Sequence, residues 1–361
     1  MKPRKKLILT LILLVFCLLI RFYASNETRV ENGYSNRIFP KIGEGLRHIF
    51  GSIPLSVGDF IYGGFVLFII WKVFGFLIGL LRKQRQWKEI RSKDNLLSLL
   101  LFCAVVYLYF NIAWGINYNR KGIAWQLGLK MEKYEVAELR EMNCLLIDKV
   151  NESKRALIQS KAVYPDNKAL FKRVEKAYTK LGKEYPFLAC DPPSLKSSIW
   201  GWFGNYAGFT GYYNPFTGEA QVNTTVPKFL QPYIACHEVA HQVGYAKEME
   251  ANFVGYLAAA NADDTLFQYS CYLDLFMYTN RNLYLQDSNA AKLYRKDLSP
   301  AVLSDLKEWI EFNRKHRSFI EPVISWAYGK YLQSNRQPQG ILSYDEVTAF
   351  LLAYYKKFGR I

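Results

Sequence analysis

Three long apolar runs in the first third of the chain restrict its fold more than any other feature. A helix of about 20 apolar residues has the length to cross the hydrocarbon of a bilayer. The first run, Leu7 to Ile20, has only Thr10 as a polar residue and follows Lys2, Arg4, Lys5 and Lys6. A basic start and a short apolar core also describe a signal peptide, but Arg21-Phe22-Tyr23-Ala24-Ser25 offers only a weak small-residue cleavage site. A retained span over roughly residues 7–23 is therefore expected. The second run, Phe60 to Leu81, reaches spanning length with Asp59 at its start and Lys72 inside it. That lysine is expected to snorkel or to pair between helices. The third run, Leu96 to Ile116, carries Trp114 near its end, a residue type enriched at membrane boundaries.

Charge supports the same division. Of a formal net charge of +16, most lies in residues 1–120, which hold 17 Lys+Arg against 6 Asp+Glu. Basic excess in the most apolar third points to a lipid bilayer as partner and away from nucleic acid. Arg82, Lys83, Arg85, Lys88, Arg91 and Lys93 crowd the link between the second and third runs, and the chain start is also basic. The stretch from Arg21 to Asp59 is close to neutral, with five basic and four acidic residues. Placing both basic segments in the cytoplasm leaves residues 121–361 outside it. The expected protein is a multi-pass cell-membrane protein with an anchor over 1–120 and an extracytoplasmic domain over 121–361. Three spans without an internal repeat are too few for most secondary transporters.

A hydrophobic content of 50% excludes wholesale disorder. Beyond Lys121, the residues Tyr134, Val136, Leu139, Met142, Leu145, Ile147, Val150 and Ile158 recur at near-helical spacing, and a second helical stretch runs near Lys168 to Lys183. An aromatic, Gly-rich passage follows from Trp200 to Asn223, in which Glu219-Ala220-Gln221-Val222-Asn223 alternates as a hairpin or edge strand would. After Lys228 the pattern is again helical, with Pro300 near the start of one helix and Pro322 expected to bend another. The fold class is α+β, mostly α. Cys144, Cys190, Cys236 and Cys271 fit no compact disulfide framework and are expected to be free and mostly buried.

Chemistry concentrates in His237-Glu238-Val239-Ala240-His241, which holds two of the four histidines. On a helix, positions i and i+4 share a face, so both imidazoles can meet one metal ion. Glu238, about a hundred degrees round, can reach a water as a general base without ligating. Gly244 is expected to end the helix in a left-handed cap that turns the chain back toward the site. A catalytic zinc needs a third protein ligand. A metzincin-like pattern would require His at 247, where Lys247 stands. Glu248-Met249-Glu250-Ala251-Asn252 then opens an apolar helix on which Glu248 and Asn252 share a face and Glu250 points away. Only one of the two glutamates can ligate. Cys236 projects away from His237 and is expected to be buried rather than to bind metal.

This arrangement resembles the gluzincin-like branch of the HExxH zinc peptidases, whose third ligand is the Glu of a downstream ExxxD or ExxxN helix. The resemblance implies a zincin-like metallopeptidase domain after the spans and one Zn²⁺ per chain, held by His237, His241 and Glu248. Asn252 would stand behind the ligands. Only six residues separate His241 from Glu248, a tight return that keeps Glu250 as the runner-up ligand. More closely, the chain resembles a bacterial family of unknown function that joins three N-terminal spans to an HExxHQxG motif and a following ExEAN. Trp114 to Tyr118, Gly211 to Ala220, His237 to Asn252 and Gly340 to Tyr344 carry that likeness.

The resulting expectation is a membrane-anchored, zinc-dependent metallopeptidase acting on a peptide or protein substrate outside the cytoplasm. The alternative is a non-catalytic zincin-like binding or scaffold module at the membrane. Zincins commonly align an extended substrate on an edge strand, a role expected here of Glu219, Ala220, Gln221, Val222 and Asn223. Tyr344 and His316 are candidate donors to a tetrahedral oxyanion. Tyr212 and Tyr213 are expected to pack.

Overall fold

The computed structural model describes residues 3–83, 86, 92–340, 342 and 346–361. Its helices in chain order begin with α1 (Pro3–Ala24), α2 (Glu27–Arg29), a π-helical stretch Val30–Ile38, α3 (Phe39–Gly51), α4 (Val57–Leu81) and α5 (Lys93–Ala113). A 3-10 turn Gly115–Asn119 leads to α6 (Ile123–Gln126), α7 (Val136–Gln159) and α8 (Asn167–Glu184). Strand β1 (Leu195–Ser197), α9 (Gly201–Ala207), β2 (Gly211–Asn214) and β3 (Glu219–Val222) follow. The chain closes with α10 (Gln231–Gln242), α11 (Glu248–Ala260), α12 (Thr265–Gln286), α13 (Ser288–Arg295), α14 (Pro300–His316), α15 (Ile320–Ser334) and α16 (Val347–Phe358).

Helices α1, α4 and α5 are long and apolar enough to cross a membrane. Two of them start three residues before the apolar runs do, because serines cap them. Ser56 Oγ accepts from Asp59 N at 3.1 Å, and Ser92 Oγ accepts from Asn95 N at 3.3 Å. Helix α5 stops at Ala113, short of the expected Ile116, where the chain tightens into the 3-10 turn. Lys6 Nζ meets Asp94 Oδ1 at 2.5 Å and Cys17 Sγ reaches Ala104 O at 3.9 Å, so α1 and α5 run side by side in the same direction. Lys72 lies over Trp71 and Phe68 of its own helix, 5.0 and 5.4 Å from the ring centroids.

The near-neutral stretch between α1 and α4 is more than a link. It folds against the C-terminal part of the chain and carries Glu31 into the interior. That carboxylate accepts from Arg120 Nη2 at 2.8 Å and Nε at 3.2 Å, from Lys121 N at 3.0 Å, from Gly122 N at 3.4 Å and from Gln126 Nε2 at 2.9 Å. Both partners of the pair are buried. Phe39 packs with Tyr34, Trp114, Tyr118 and Ala246 in the same cluster.

The main core gathers α7, α8, α10, α11, α12 and α16 around Leu139, Met142, Leu146, Val174, Leu181, Phe253, Phe267 and Leu351. Helix α7 presents Leu139, Met142, Leu146, Val150 and Leu157 as its buried stripe, the expected 3.6-residue periodicity. Pro300 is the first residue of α14, as expected. Pro322 does not bend α15, because it stands in the first turn, where no intrahelical N–H is needed. The cysteines are free, with Cys190, Cys236 and Cys271 buried and Cys144 exposed.

The sheet has the order β1-β3-β2, with β3 parallel to β1 and antiparallel to β2. The expected hairpin is present, β3 pairing with β2, but the expectation of an edge strand at Glu219 to Asn223 is corrected. The strand is central, with Ala220 paired to Leu195 on one side and Tyr213 on the other, and has no free edge for an extended peptide. Its polar side chains serve the anchor instead. Glu219 accepts from Val57 N at 3.1 Å and Gly58 N at 2.7 Å, holding the first backbone donors of α4, while Asn223 Nδ2 donates to Asn205 Oδ1 at 2.7 Å. Tyr212 and Tyr213 pack as expected, Tyr212 donating to Asp59.

Breaking a buried ion pair on one side leaves an uncompensated charge, at about 3–5 kcal/mol. Glu31→Gln and Arg120→Met are each expected to lower the unfolding free energy of the full chain in detergent by about that amount. Burial alone would raise the Glu31 carboxyl, but Arg120 and the Gly122 and Lys121 amides outweigh it and hold it below its ordinary 4.5. The stability it contributes is present above that pH and is lost as the pH falls through its depressed value. Denaturation curves at falling pH should therefore show a shallower acid loss in Glu31→Gln than in the wild type.

Candidate metal centre

Helix α10 starts on Gln231-Pro232, with the proline in the first turn, and lies against β2, β3, α11 and α12 with every residue but Ile234 buried. His237 and His241 stand one turn apart with their rings edge to face, centroids 4.8 Å from each other. Gly244 has φ of +98°, the left-handed cap expected, and a Cβ there would also meet the Phe39 ring at 2.8 Å. The chain turns back through Tyr245 and Ala246, and α11 opens on Glu248.

That return brings Glu248 Oε2 to 3.3 Å from His237 Nε2 and 3.5 Å from His241 Nε2. Two atoms each bonded to one tetrahedral ion at 2.0–2.1 Å stand about 3.4 Å apart. The two separations from Glu248 therefore match those that a tetrahedral ion requires. The candidate donor atoms of His237, Glu238 and His241 lie within 4.8 Å of one another, which sets the Glu238 carboxyl beside the two imidazoles. All four residues are buried.

Surrounding groups fix the orientation of each donor. His241 Nδ1 lies 2.7 Å from Tyr245 O, a carbonyl that can only accept, so Nδ1 carries a proton and Nε2 is the ring nitrogen turned toward Glu248. Trp114 Nε1 donates to His241 O at 3.1 Å and sets its ring edge-on to the imidazole at 5.9 Å. Tyr328 Oη donates to Glu248 Oε1 at 2.6 Å, leaving Oε2 for the histidines. The Glu248 amide donates to Gln337 Oε1 at 2.9 Å. Asn252 stands behind the ligands as expected, its side chain bonded to His237 and its carbonyl accepting from Tyr233 Oη at 2.9 Å.

Burial dominates the electrostatics. It pushes His237 down and is the largest influence on Glu238, whose carboxyl rises to about 8 with Glu248 adding to the shift and His241 opposing it. For His241 burial works downward, but the carboxylates of Glu248 and Glu238 and the Tyr245 carbonyl outweigh it and raise the imidazole. For Glu248 burial works upward, but the two imidazoles outweigh it and hold the carboxyl low. The pattern describes one ionised carboxylate facing two imidazoles and a second carboxyl that exchanges its proton near neutrality.

Glu250 lies elsewhere. Its carboxylate abuts Gly122, where a Cβ would collide with it, and Lys247 Nζ is 3.7 Å away. Of the two glutamates, Glu248 is the one that faces the histidines. Cys236 is buried in the core, its carbonyl accepting from Tyr178 Oη at 2.6 Å. His316 packs against Phe312 and Tyr206, at 4.3 and 5.1 Å between rings, as a structural residue does. Tyr344 lies outside the described residues.

Several participants had no sequence signal of their own. Gly211 in β2 passes so close to Glu238 that a Cβ would stand 2.5 Å from its Oε1. Trp114 reads as a membrane-boundary residue, and Tyr328 follows Glu248 by eighty positions. The WGINY stretch in which Trp114 stands was a usable hint, since a tryptophan, a glycine and an asparagine there exceed what a plain span end needs.

Against known protein families, residues 34–352 match the family described as "Protein of unknown function (DUF3810)". The chain belongs to that family. No curated protein and no solved structure matches it.

Metal content measured on chelator-free full-length protein, after loading with zinc, is expected to be close to one ion per chain. Folded His241→Ala and Glu248→Ala variants should lose it, and Glu250→Gln should keep it. Tyr328→Phe should weaken zinc binding about tenfold in chelator competition, since it frees Glu248 Oε1 without removing a ligand.

Proposed function

We propose that this chain is a membrane-anchored, zinc-dependent metallopeptidase that hydrolyses peptide bonds outside the cytoplasm. The observation that carries this reading is the convergence of His237, His241 and Glu248 on one point with the Glu238 carboxyl beside it. Zinc is the natural occupant for two imidazoles and a carboxylate at tetrahedral separations. Such an ion supplies Lewis-acid polarisation of a carbonyl and activation of a water.

The chain's own groups supply the rest. Glu238 Oε2 is buried with no hydrogen-bond partner among the described residues, so it can accept the proton of an attacking water. The same carboxyl can then return that proton to the leaving amine. Gly211, having no side chain, leaves the carboxyl room to turn between the two tasks. The Tyr245 carbonyl keeps His241 in one tautomer, and Tyr328 holds Glu248 in one rotamer. Since β3 is central, the substrate-aligning role passes to β2, an edge strand of the sheet whose Gly211 abuts the base. The basic chain start and the basic link between the second and third spans support the orientation.

A second reading takes its support from the depth of the site. With His237 8% and Glu248 3% exposed, the metal could instead pin a non-catalytic binding or scaffold module. Glu238→Gln separates the two. The peptidase reading expects hydrolysis of a verified peptide substrate to fall roughly 10²- to 10⁴-fold with zinc still bound. Unchanged hydrolysis in that variant sinks it, and a binding function that survives the substitution favours the module.

A further inference from the structure

Helix α15 is poorly buried for a helix that covers a metal centre. Leu332 is its one buried residue. Phe319 at its N-cap, Val323 and Trp326 are 87, 63 and 67% exposed and recur at helical spacing, with Pro322 and Ala327 exposed between them. A contiguous apolar face of this kind marks a contact surface.

Its location tells what the contact is. At the start of α15, Ser318 Oγ donates to Tyr206 O of α9 at 2.6 Å. Just before α9, Trp200 leans on α4, where a Cβ on Gly63 would meet its ring at 2.6 Å and where its Nε1 donates to Asp59 O at 3.0 Å. At the other end of α15, the Tyr331 ring lies 6.4 Å from Phe110 in the last turn of α5. Arg336 then reaches Glu27, just past α1, at 3.2 Å. Through Tyr331, through α9 and through the Arg336–Glu27 pair, the helix is thus tied to the neighbourhood of all three apolar helices. Helix α9 adds Trp202, 68% exposed, to the same region.

Charge fits the location. Arg314, Lys315 and Arg317 precede the helix and Lys330 and Arg336 fall at its far end, against Glu321 as the single acidic residue from 314 to 336. An apolar face edged with tryptophan and flanked by cations describes a helix lying in the headgroup boundary of an anionic bilayer.

We propose that α15, together with α9, lies in the boundary of the same bilayer that α1, α4 and α5 cross, a second membrane contact seating the helix that covers the metal centre. This rests on the spanning role of those three helices and not on the metal chemistry. Trp326 and Tyr328 are about 200° apart on the helix, so lipid contact on one face and the bond to Glu248 on the other belong to one rigid element.

The test uses the full chain in phosphatidylglycerol/phosphatidylcholine vesicles, with and without bromine on the acyl chains, and reads tryptophan quenching. Trp71 in the middle of α4 serves as the internal control. The expected result is a quenched emission component that is lost in part with Trp71→Phe and in part with Trp202→Phe and with Trp326→Phe. Quenching that disappears with Trp71→Phe but is indifferent to Trp202→Phe and Trp326→Phe overturns the proposal while leaving the spans intact. No quenching of Trp71 overturns both. Shielding of Trp202 and Trp326 that tracks protein concentration, with a dimer by light scattering, assigns the face to a second copy and also overturns it.

Discussion

The buried pair of Glu31 and Arg120 is the constraint through which the two parts of this protein become one. Glu31 comes from the stretch after α1, and Arg120 from the turn after α5. From Arg120 the connection continues to the metal centre: Nη1 donates to Gly244 O at 3.2 Å and the guanidinium lies 4.4 Å over the Tyr245 ring. Tyr245 in turn offers its carbonyl to His241 and its hydroxyl to Gln126, itself bonded to Glu31. A charge placed between α1 and α4 thus sets the orientation of a candidate metal ligand more than 200 residues downstream.

The anchor is consequently part of the site rather than a tether for it. Trp114, one residue past α5, holds the carbonyl of His241, and Glu219 of the central strand satisfies the opening amides of α4. Phe39 fills the space above Gly244 that any side chain would need. A chain cut at residue 121 would lose these supports together. Geometry held from this side explains how a site of four buried ionisable groups persists, since each has a partner or lies where an ion would compensate it.

What could be read in the sequence was whatever depends on near neighbours. Apolar run length located α1, α4 and α5, the i, i+4 spacing put His237 and His241 on one face, and Gly244 marked the turn that returns the chain to Glu248. The misses came from distant pairing. The short alternation at Glu219 to Val222 says strand but not which strands flank it, and burial of its polar residues against α4 removes the inside/outside distinction that alternation normally reports. The same limit applies to Gly211, chosen for the approach of Glu238 from another element, and to Tyr328. The segment from Asn26 to Gly51 looked like a neutral link because its one decisive residue, Glu31, is an ordinary glutamate until Arg120 is placed beside it. Choosing Glu248 over Glu250 needed the Gly122 loop, which occupies the space around Glu250.

The central claim, that this fold closes His237, His241 and Glu248 around one ion, is most directly tested by zinc K-edge X-ray absorption on the zinc-loaded full chain. The account predicts a first shell of nitrogen and oxygen only, with the outer-shell scattering of two imidazoles, and loss of one imidazole contribution in His241→Ala. A sulfur neighbour would contradict it, as would a spectrum of the hydrated ion that is the same in wild type and variant.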